Sequence, residues 1–369
     1  MNATERCCDS LRAATGLSYA VLGGRANTLW AAYLNTINAN GKAVIFPSIM
    51  CLSPVMTAQC AGAVPVFCDV KLSDATLSPE SLDILLNMLK GKIAVVFAVD
   101  IYGNRCAIDD IDAVCCKYQV PVIEDAAQAF GVPQMGRHAQ GCLLSFGHTK
   151  QIDCGLGGAF LTNDESVAER MRGQLREVKS INKDQLTRLS ENYRRVYYAL
   201  EELDSIAGEA GRFFSAMFHC YSDLLFRNAA EADWERIADL IEKFPSELLL
   251  RRNLVETYEH LLSGKYGATS LMHDVKESSP WRFSFMVPKE RRAALIASLR
   301  AKGIDASSWY PAIHRWFSKE KSPAGCPNAD VVAQQVVNLW VDKKDPNYAE
   351  RVAAMVVENL ARPEEGPSG

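Results

Sequence analysis

The first half of the chain alternates short apolar runs with stretches of helical period, and that alternation leaves few folds open. Candidate strands are Ala43–Phe46, Val64–Cys68, Ile93–Ala98 and Val120–Glu124, all rich in β-branched residues. Helix patterns occur at Asn27–Ala39, Pro54–Ala61, Ser78–Leu89 and Asp109–Lys117. Strands separated by helices pair in parallel, so the alternation predicts βαβ units around a mostly parallel sheet. Ser78 is a fitting N-cap and Pro79 a fitting first-turn residue. Leu143–Phe146 and Gly158–Thr162 read as two further strands, flanking a loop that contains Lys150 and Gly155-Leu156-Gly157-Gly158.

From about residue 165 to 258 the period becomes helical, over Glu165–Glu177, Asn192–Leu203 and Ala232–Phe244, with no strand signal between them. Strand character returns at Trp281–Val287, followed by a helix over Lys289–Lys302, a turn at Gly303 and a short run through Trp309-Tyr310-Pro311. The expected organisation is a large domain over 1–245 with a helical insertion at about 195–245, a small α+β domain over 246–362, and a frayed tail over 363–369. A length of 369 residues with 48% hydrophobic and 23% charged residues suits two such cores.

A net charge of −4 supplies no basic footprint for nucleic acid or an anionic membrane. Twelve cysteines are scattered without C-x-x-C repeats, and Cys60, Cys68 and Cys142 stand in apolar runs where cysteine acts as a small hydrophobe. The polar start Met1-Asn2-Ala3-Thr4-Glu5-Arg6 does not read as a signal peptide, and no apolar run reaches membrane-spanning length. These features predict a reduced, cytoplasmic protein with a small-molecule partner. No H-x-x-x-H or H-E-x-x-H spacing occurs, so no metal site is expected.

Lys150 closes the stretch Ser145-Phe146-Gly147-His148-Thr149-Lys150, and Asp125 closes the apolar run Val120-Pro121-Val122-Ile123-Glu124-Asp125. Ligands in open α/β sheets sit at strand C-termini, so these two side chains can converge there. A lysine that can form a Schiff base and an acid that can hold a pyridine nitrogen protonated point to pyridoxal phosphate. Taken singly, Lys150 could be a solvated surface charge and Asp125 a helix N-cap before Ala126-Ala127-Gln128-Ala129. Gln128, on the same turn, could bond the ring hydroxyl. Gly23-Gly24-Arg25-Ala26 opens onto an apolar helix whose free N–H groups could hold the phosphate, with Ser145 adding a hydroxyl. His148 and His314 stand beside aromatic residues, where packing and chemistry are equally open readings.

These residues resemble the DegT/DnrJ/StrS-type sugar aminotransferases, a branch of the aspartate aminotransferase fold (fold type I). The resemblance is carried by Pro47-Ser48, Gly62 through Val70, Tyr102-Gly103, Glu124 through Gly131, Ser145 through Lys150 and Gly157 through Asp164. It continues more thinly in Asn192-Tyr193-Arg194, Arg251-Arg252, Tyr258, Gly303-Ile304 and Tyr310-Pro311-Ala312-Ile313-His314. It implies an α/β fold with a mostly parallel seven-stranded sheet and a smaller C-terminal α+β domain. It makes Lys150 and Asp125 the catalytic pair, and Arg25, Ala26, Cys51, Ala127, Gln128, Ser145 and Asn192 further cofactor contacts. Asn192 would act across a homodimer with shared active sites, and His148, Tyr310 and His314 would face substrate. The implied reaction carries an amino group, usually from glutamate, through pyridoxamine phosphate to a keto sugar that is commonly nucleotide-linked.

Three departures bear on substrate. Gly24-Arg25-Ala26 replaces the family's Ser-Gly-Thr phosphate signature, Cys51 stands where many members place an aromatic ring, and the stretch between Asn192 and Arg251 is longer than usual. A free keto sugar or a higher sugar acid therefore stays open as acceptor. The related dehydratases carry histidine in place of the lysine, against which Lys150 argues. A regulator or scaffold without turnover is the remaining alternative; the chain enters the cofactor domain almost at once, leaving no room for a helix-turn-helix module.

Overall fold

The computed structural model describes residues 2–89, 92–207, 228–229, 232–272, 274–317, 319–345 and 347–362. The expected tail over 363–369 and much of the expected helical insertion lie outside the described residues.

Helix α1 (Ala3–Thr15) leads into β1 (Tyr19–Gly23) and α2 (Ala26–Thr36). The chain continues through β2 (Ala43–Pro47), α3 (Leu52–Cys60), β3 (Val64–Cys68), α4 (Pro79–Leu89), β4 (Ile93–Val99), α5 (Ile108–Tyr118) and β5 (Val122–Asp125). Next come β6 (Gly141–Ser145), β7 (Gly158–Thr162) and α6 (Glu165–Arg176). Strands β1–β7 form one seven-stranded sheet in the order β1-β7-β6-β5-β4-β2-β3. The pairs from β3 across to β6 are parallel, whereas β7 is antiparallel to both β6 and β1.

Side-chain alternation explains why the strands read as continuous apolar runs. Val44, Phe46, Val95 and Phe97 enter one core cluster with Trp30 and Tyr33 of α2. Ile45, Val96 and Ala98 enter the cluster on the other face, with Leu82, Leu85 and Leu86 of α4 and Ile111 of α5. Both faces are covered, so both sets of alternating positions are apolar. Ser78 caps α4 as expected, accepting from Ser81 N–H at 3.1 Å. The strand expected over Val120–Glu124 is shifted to Val122–Asp125, because Pro121 has no N–H to give a ladder. The shift makes Asp125 the last strand residue, paired with Val99 and Leu143.

The second part of the chain contains β8 (Ser180–Ile181), α7 (Lys183–Ala207), β9 (Asn228–Ala229), α8 (Trp234–Leu262), β10 (Thr269–Ser270) and β11 (Arg282–Met286). It ends with α9 (Lys289–Ala301), α10 (Pro327–Gln335), β12 (Val336–Trp340) and α11 (Tyr348–Ala361). β8 and β9 pair in parallel and correct the expectation that no strand interrupts 165–258; two-residue strands carry no period to read. β10, β11 and β12 form a separate antiparallel sheet.

α8 runs unbroken through Pro245. Its first half places Ile237, Ile241 and Phe244 against Phe130, Phe146 and the Cys7 and Leu11 side chains of α1. Its second half places Leu254, Val255, Tyr258 and Leu262 against Phe283, Phe285 and Leu339. The change of packing partner thus falls within one helix, near the expected boundary at 246. The chain meets itself again at Tyr102-Gly103, where Tyr102 O accepts from Trp281 N–H (3.0 Å) and Gly103 O from Ser279 N–H (2.8 Å). Gly103 has φ +92°, and a Cβ there would lie 2.0 Å from Ser279 O, so only glycine allows this approach.

Candidate active site

A cavity of about 550 Å³ opens at the C-terminal ends of β4, β5 and β6. Asp125 and Lys150 both line it, together with Ala127, Gln128, Ser145, Cys51, Arg25 and Ala26. β5 delivers Asp125 to the floor, where it is buried and accepts from Ala127 N–H through Oδ1 at 3.0 Å. Residues 126–129 form turns and not a helix, so the N-cap reading of Asp125 finds no helix to cap.

Burial pushes the Asp125 carboxyl up to about 6, against the lowering effects of Lys150 and of the Ala127 N–H. A carboxylate held this way favours a cation at its open oxygen. Behind it, Glu124 and Asp100 are fully buried. Glu124 Oε2 accepts from Gly136 N–H and Asp100 Oδ1 from Cys106 N–H. Their other oxygens, Glu124 Oε1 and Asp100 Oδ2, have no further partner among the described residues and lie within reach of each other. Desolvation and the neighbouring Asp100 carboxylate raise Glu124 well above the usual range, and a proton shared by the pair would give both carboxyls a partner.

The turn after β5 fixes Gln128 on both sides. Its Oε1 accepts from Tyr102 N–H (3.0 Å) and its Nε2 donates to Tyr310 Oη (2.6 Å), leaving one amide proton uncommitted. Tyr310 is buried and stacks between Tyr102 and Trp281, with centroids at 6.4 and 6.2 Å. It therefore backs the cavity through Gln128 and does not line it. His314 also lies outside the cavity lining, hydrogen-bonded through Nδ1 to Ser48 Oγ at 2.5 Å. His148 does line the cavity, exposed and 3.8 Å from Asp153.

The start of α2, which also lines the cavity, meets β7. Gly158 permits this contact: a Cβ there would lie 2.7 Å from Ala26 N. Arg25 is half-buried, and desolvation draws its guanidinium down to about 10. Ser145 Oγ accepts from Gly147 N–H at 3.4 Å. Backbone at Gly24–Ala26, a guanidinium and a hydroxyl thus line the same cavity as a lysine and a carboxylate. That donor set fits pyridoxal phosphate, anion at one end and cationic ring nitrogen at the other.

The outer wall was missed in the sequence reading. It is formed by Leu186, Thr187, Ser190 and Arg194 on one face of α7, and by Asp233 and Arg236 at the start of α8. The spacing of 187, 190 and 194 is a helical face and was the available signal; Arg236 carried none. Asn192 is exposed on α7 and does not line the cavity of its own chain.

The fold and the family it shares make the protein a pyridoxal phosphate-dependent aminotransferase of fold type I. It belongs to the DegT/DnrJ/EryC1/StrS aminotransferase family, whose sequence pattern matches residues 10–208 and 238–357 and passes over 209–237. It is 26% identical over 307 residues to the UDP-2-acetamido-2-deoxy-3-oxo-D-glucuronate aminotransferase of Pseudomonas aeruginosa, covering 81% of this chain and 74% of that protein. Among solved structures it is similar to DesV of S. venezuelae in complex with a ketimine intermediate (TM-score 0.75, 23% identity, 99% of this chain and 91% of that one). It is also similar to the sugar aminotransferase Spr1654 of Streptococcus pneumoniae in its PMP form (TM-score 0.75, 17% identity, 98% and 92%). Among the described residues no helix is long and apolar enough to cross a membrane.

Proposed function

We propose that the protein transfers an amino group from an amino-acid donor, L-glutamate, to a keto sugar linked to a nucleotide. The observation that carries the chemistry is the shared cavity of Lys150 and Asp125. The similarity to an aminotransferase named for a UDP-linked 3-oxo sugar supports the acceptor.

When bound, pyridoxal phosphate supplies an aldehyde carbon and a ring that withdraws electrons. Lys150 is the residue that would hold it covalently, and its amine, once released, is placed to move a proton to or from substrate carbon. Asp125 would keep the ring nitrogen protonated, and the spare proton of Gln128 Nε2 would reach the ring hydroxyl. Arg25, Ala26 and Ser145 would take the phosphate. Two chains would share their sites, with Asn192 of each reaching the phosphate held by the other.

The test is direct. Purified protein given pyridoxal phosphate should gain visible absorbance, and borohydride should fix the cofactor on Lys150. Protein that stays colourless and yields no adduct there refutes the proposal. Protein charged with pyridoxamine phosphate, offered keto sugars with and without a nucleotide, should recover that absorbance with the nucleotide-linked set; recovery with free sugars alone would shift the acceptor. Mixed dimers of Lys150→Ala and Asn192→Ala chains should regain some activity, and no rescue removes Asn192 from the partner's site.

A further inference from the structure

The cavity wall opposite the cofactor floor carries charge that the aminotransfer chemistry leaves unused. Four cationic side chains line the cavity, Arg25, Lys150, Arg194 and Arg236, against two acids, Asp125 and Asp233, in a chain of net charge −4. Arg25, Lys150 and Asp125 belong to the cofactor end. Asp233 is committed to the helix it caps, its Oδ1 accepting from Arg236 N–H at 3.0 Å. Arg194 and Arg236 remain: both are exposed toward the cavity, and neither is hydrogen-bonded or ion-paired through its side chain among the described residues. Arg236 lies close enough to Cys154, which lines the same cavity, to influence its thiol electrostatically.

Two guanidiniums with no side-chain partner among the described residues, with the Ser190 hydroxyl on the same wall, form a surface for oxygen anions. Arg236 and Asp233 fall within 209–237, outside the stretches that the family pattern matches. We propose that Arg236, with Arg194, recognises an anionic group on the sugar substrate, a diphosphate or a sugar carboxylate. Arg236 thereby acts as a specificity residue. This rests on the aminotransferase reading, and its test is read by binding, independently of turnover.

Holoenzyme is titrated calorimetrically with UDP-glucuronate and with UDP-glucose, as wild type, Arg236→Ala, Arg194→Ala and Arg236→Lys. Cofactor absorbance and melting temperature serve as controls that each variant is loaded and folded. Losing a charge-assisted contact should raise Kd roughly ten- to hundredfold in Arg236→Ala, with partial recovery in Arg236→Lys. An equal rise for both ligands assigns the diphosphate, and a rise confined to UDP-glucuronate assigns the carboxylate. Unchanged Kd values in both alanine variants, or no binding of either ligand by wild type, overturn the proposal. A wild type that never takes up the cofactor would instead count against the aminotransferase reading.

Discussion

Asp125 and Gln128 on the cavity floor are 7% and 4% exposed and are held by hydrogen bonds to the backbone and to Tyr310. Thr187, Arg194 and Arg236 on the outer wall are exposed, and the two arginines have no acidic partner among the described residues. A buried polar group left without its partners is costly, so these hydrogen bonds hold the floor side chains in place. An exposed guanidinium costs little to move or replace, so the wall can change its ligand without disturbing the sheet. On the proposed function, the floor would carry the aminotransfer chemistry and the wall would select the substrate, so the two regions should differ in phenotype.

The largest effect belongs to Lys150. Lys150→Ala should lower turnover by about 10⁴-fold or more, as removal of a covalent catalyst does, and leave no borohydride-fixed cofactor. Retention of cofactor absorbance in that variant would break the distinction at its centre. Asp125→Asn follows: loss of a preorganised charge partner should cost turnover roughly 10²- to 10³-fold while cofactor still binds. A rate near wild type would remove Asp125 from the mechanism.

The same aspartate should mark the floor in the cofactor-free protein. Its carboxyl is raised from 3.8 to about 6, so the folded chain holds this proton more tightly than the unfolded chain does. The stability it contributes is complete below pH 4 and is lost as pH rises through 6, a difference of about 3 kcal/mol for a shift of this size. Cofactor-free Asp125→Asn should therefore melt above wild type at pH 7 and lose that advantage at pH 4. Asp100 is also raised to about 6, mainly by burial and in part by the Asp125 charge, so Asp125→Asn relieves it as well and adds to the difference in the same direction. Parallel melting curves at the two pH values would show that burial of Asp125 carries no strain. Pyridoxal phosphate should reverse the order at pH 7, stabilising wild type more than the variant.

The sequence made the floor legible because its residues end apolar strands, and a strand end is a fixed address in a parallel sheet. Asp125 and Ser145 end β5 and β6, and Gln128 and Lys150 follow in the loops those strands lead into. β1 and β12 were less visible. β1 is a five-residue edge strand with a broken burial pattern. β12 contains buried Asn338, which donates to Ser284 Oγ and accepts from Trp309 N–H and so interrupts the apolar run. Tyr310 was read as facing substrate, yet its hydroxyl is taken by Gln128, a contact between residues 182 positions apart that no local pattern encodes. The wall was illegible for a related reason: α7 and α8 converge on the cavity only through tertiary packing, and Arg236 lies on a helix that reads simply as amphipathic.

Ser190 offers the mildest trial of the contrast. It lines the wall one helical turn before Arg194 and is half-buried, so its hydroxyl can reach a sugar oxygen without being needed by the fold. A neutral hydrogen bond contributes about 0.5–1.5 kcal/mol, so Ser190→Ala should raise KM for the sugar roughly two- to tenfold and leave kcat, cofactor absorbance and melting temperature near wild type. The split matters more than its size. A fall in kcat with KM unchanged would place Ser190 in the reacting geometry of the floor, and the two regions would then be one continuous catalytic surface rather than a fixed base beneath an adjustable wall.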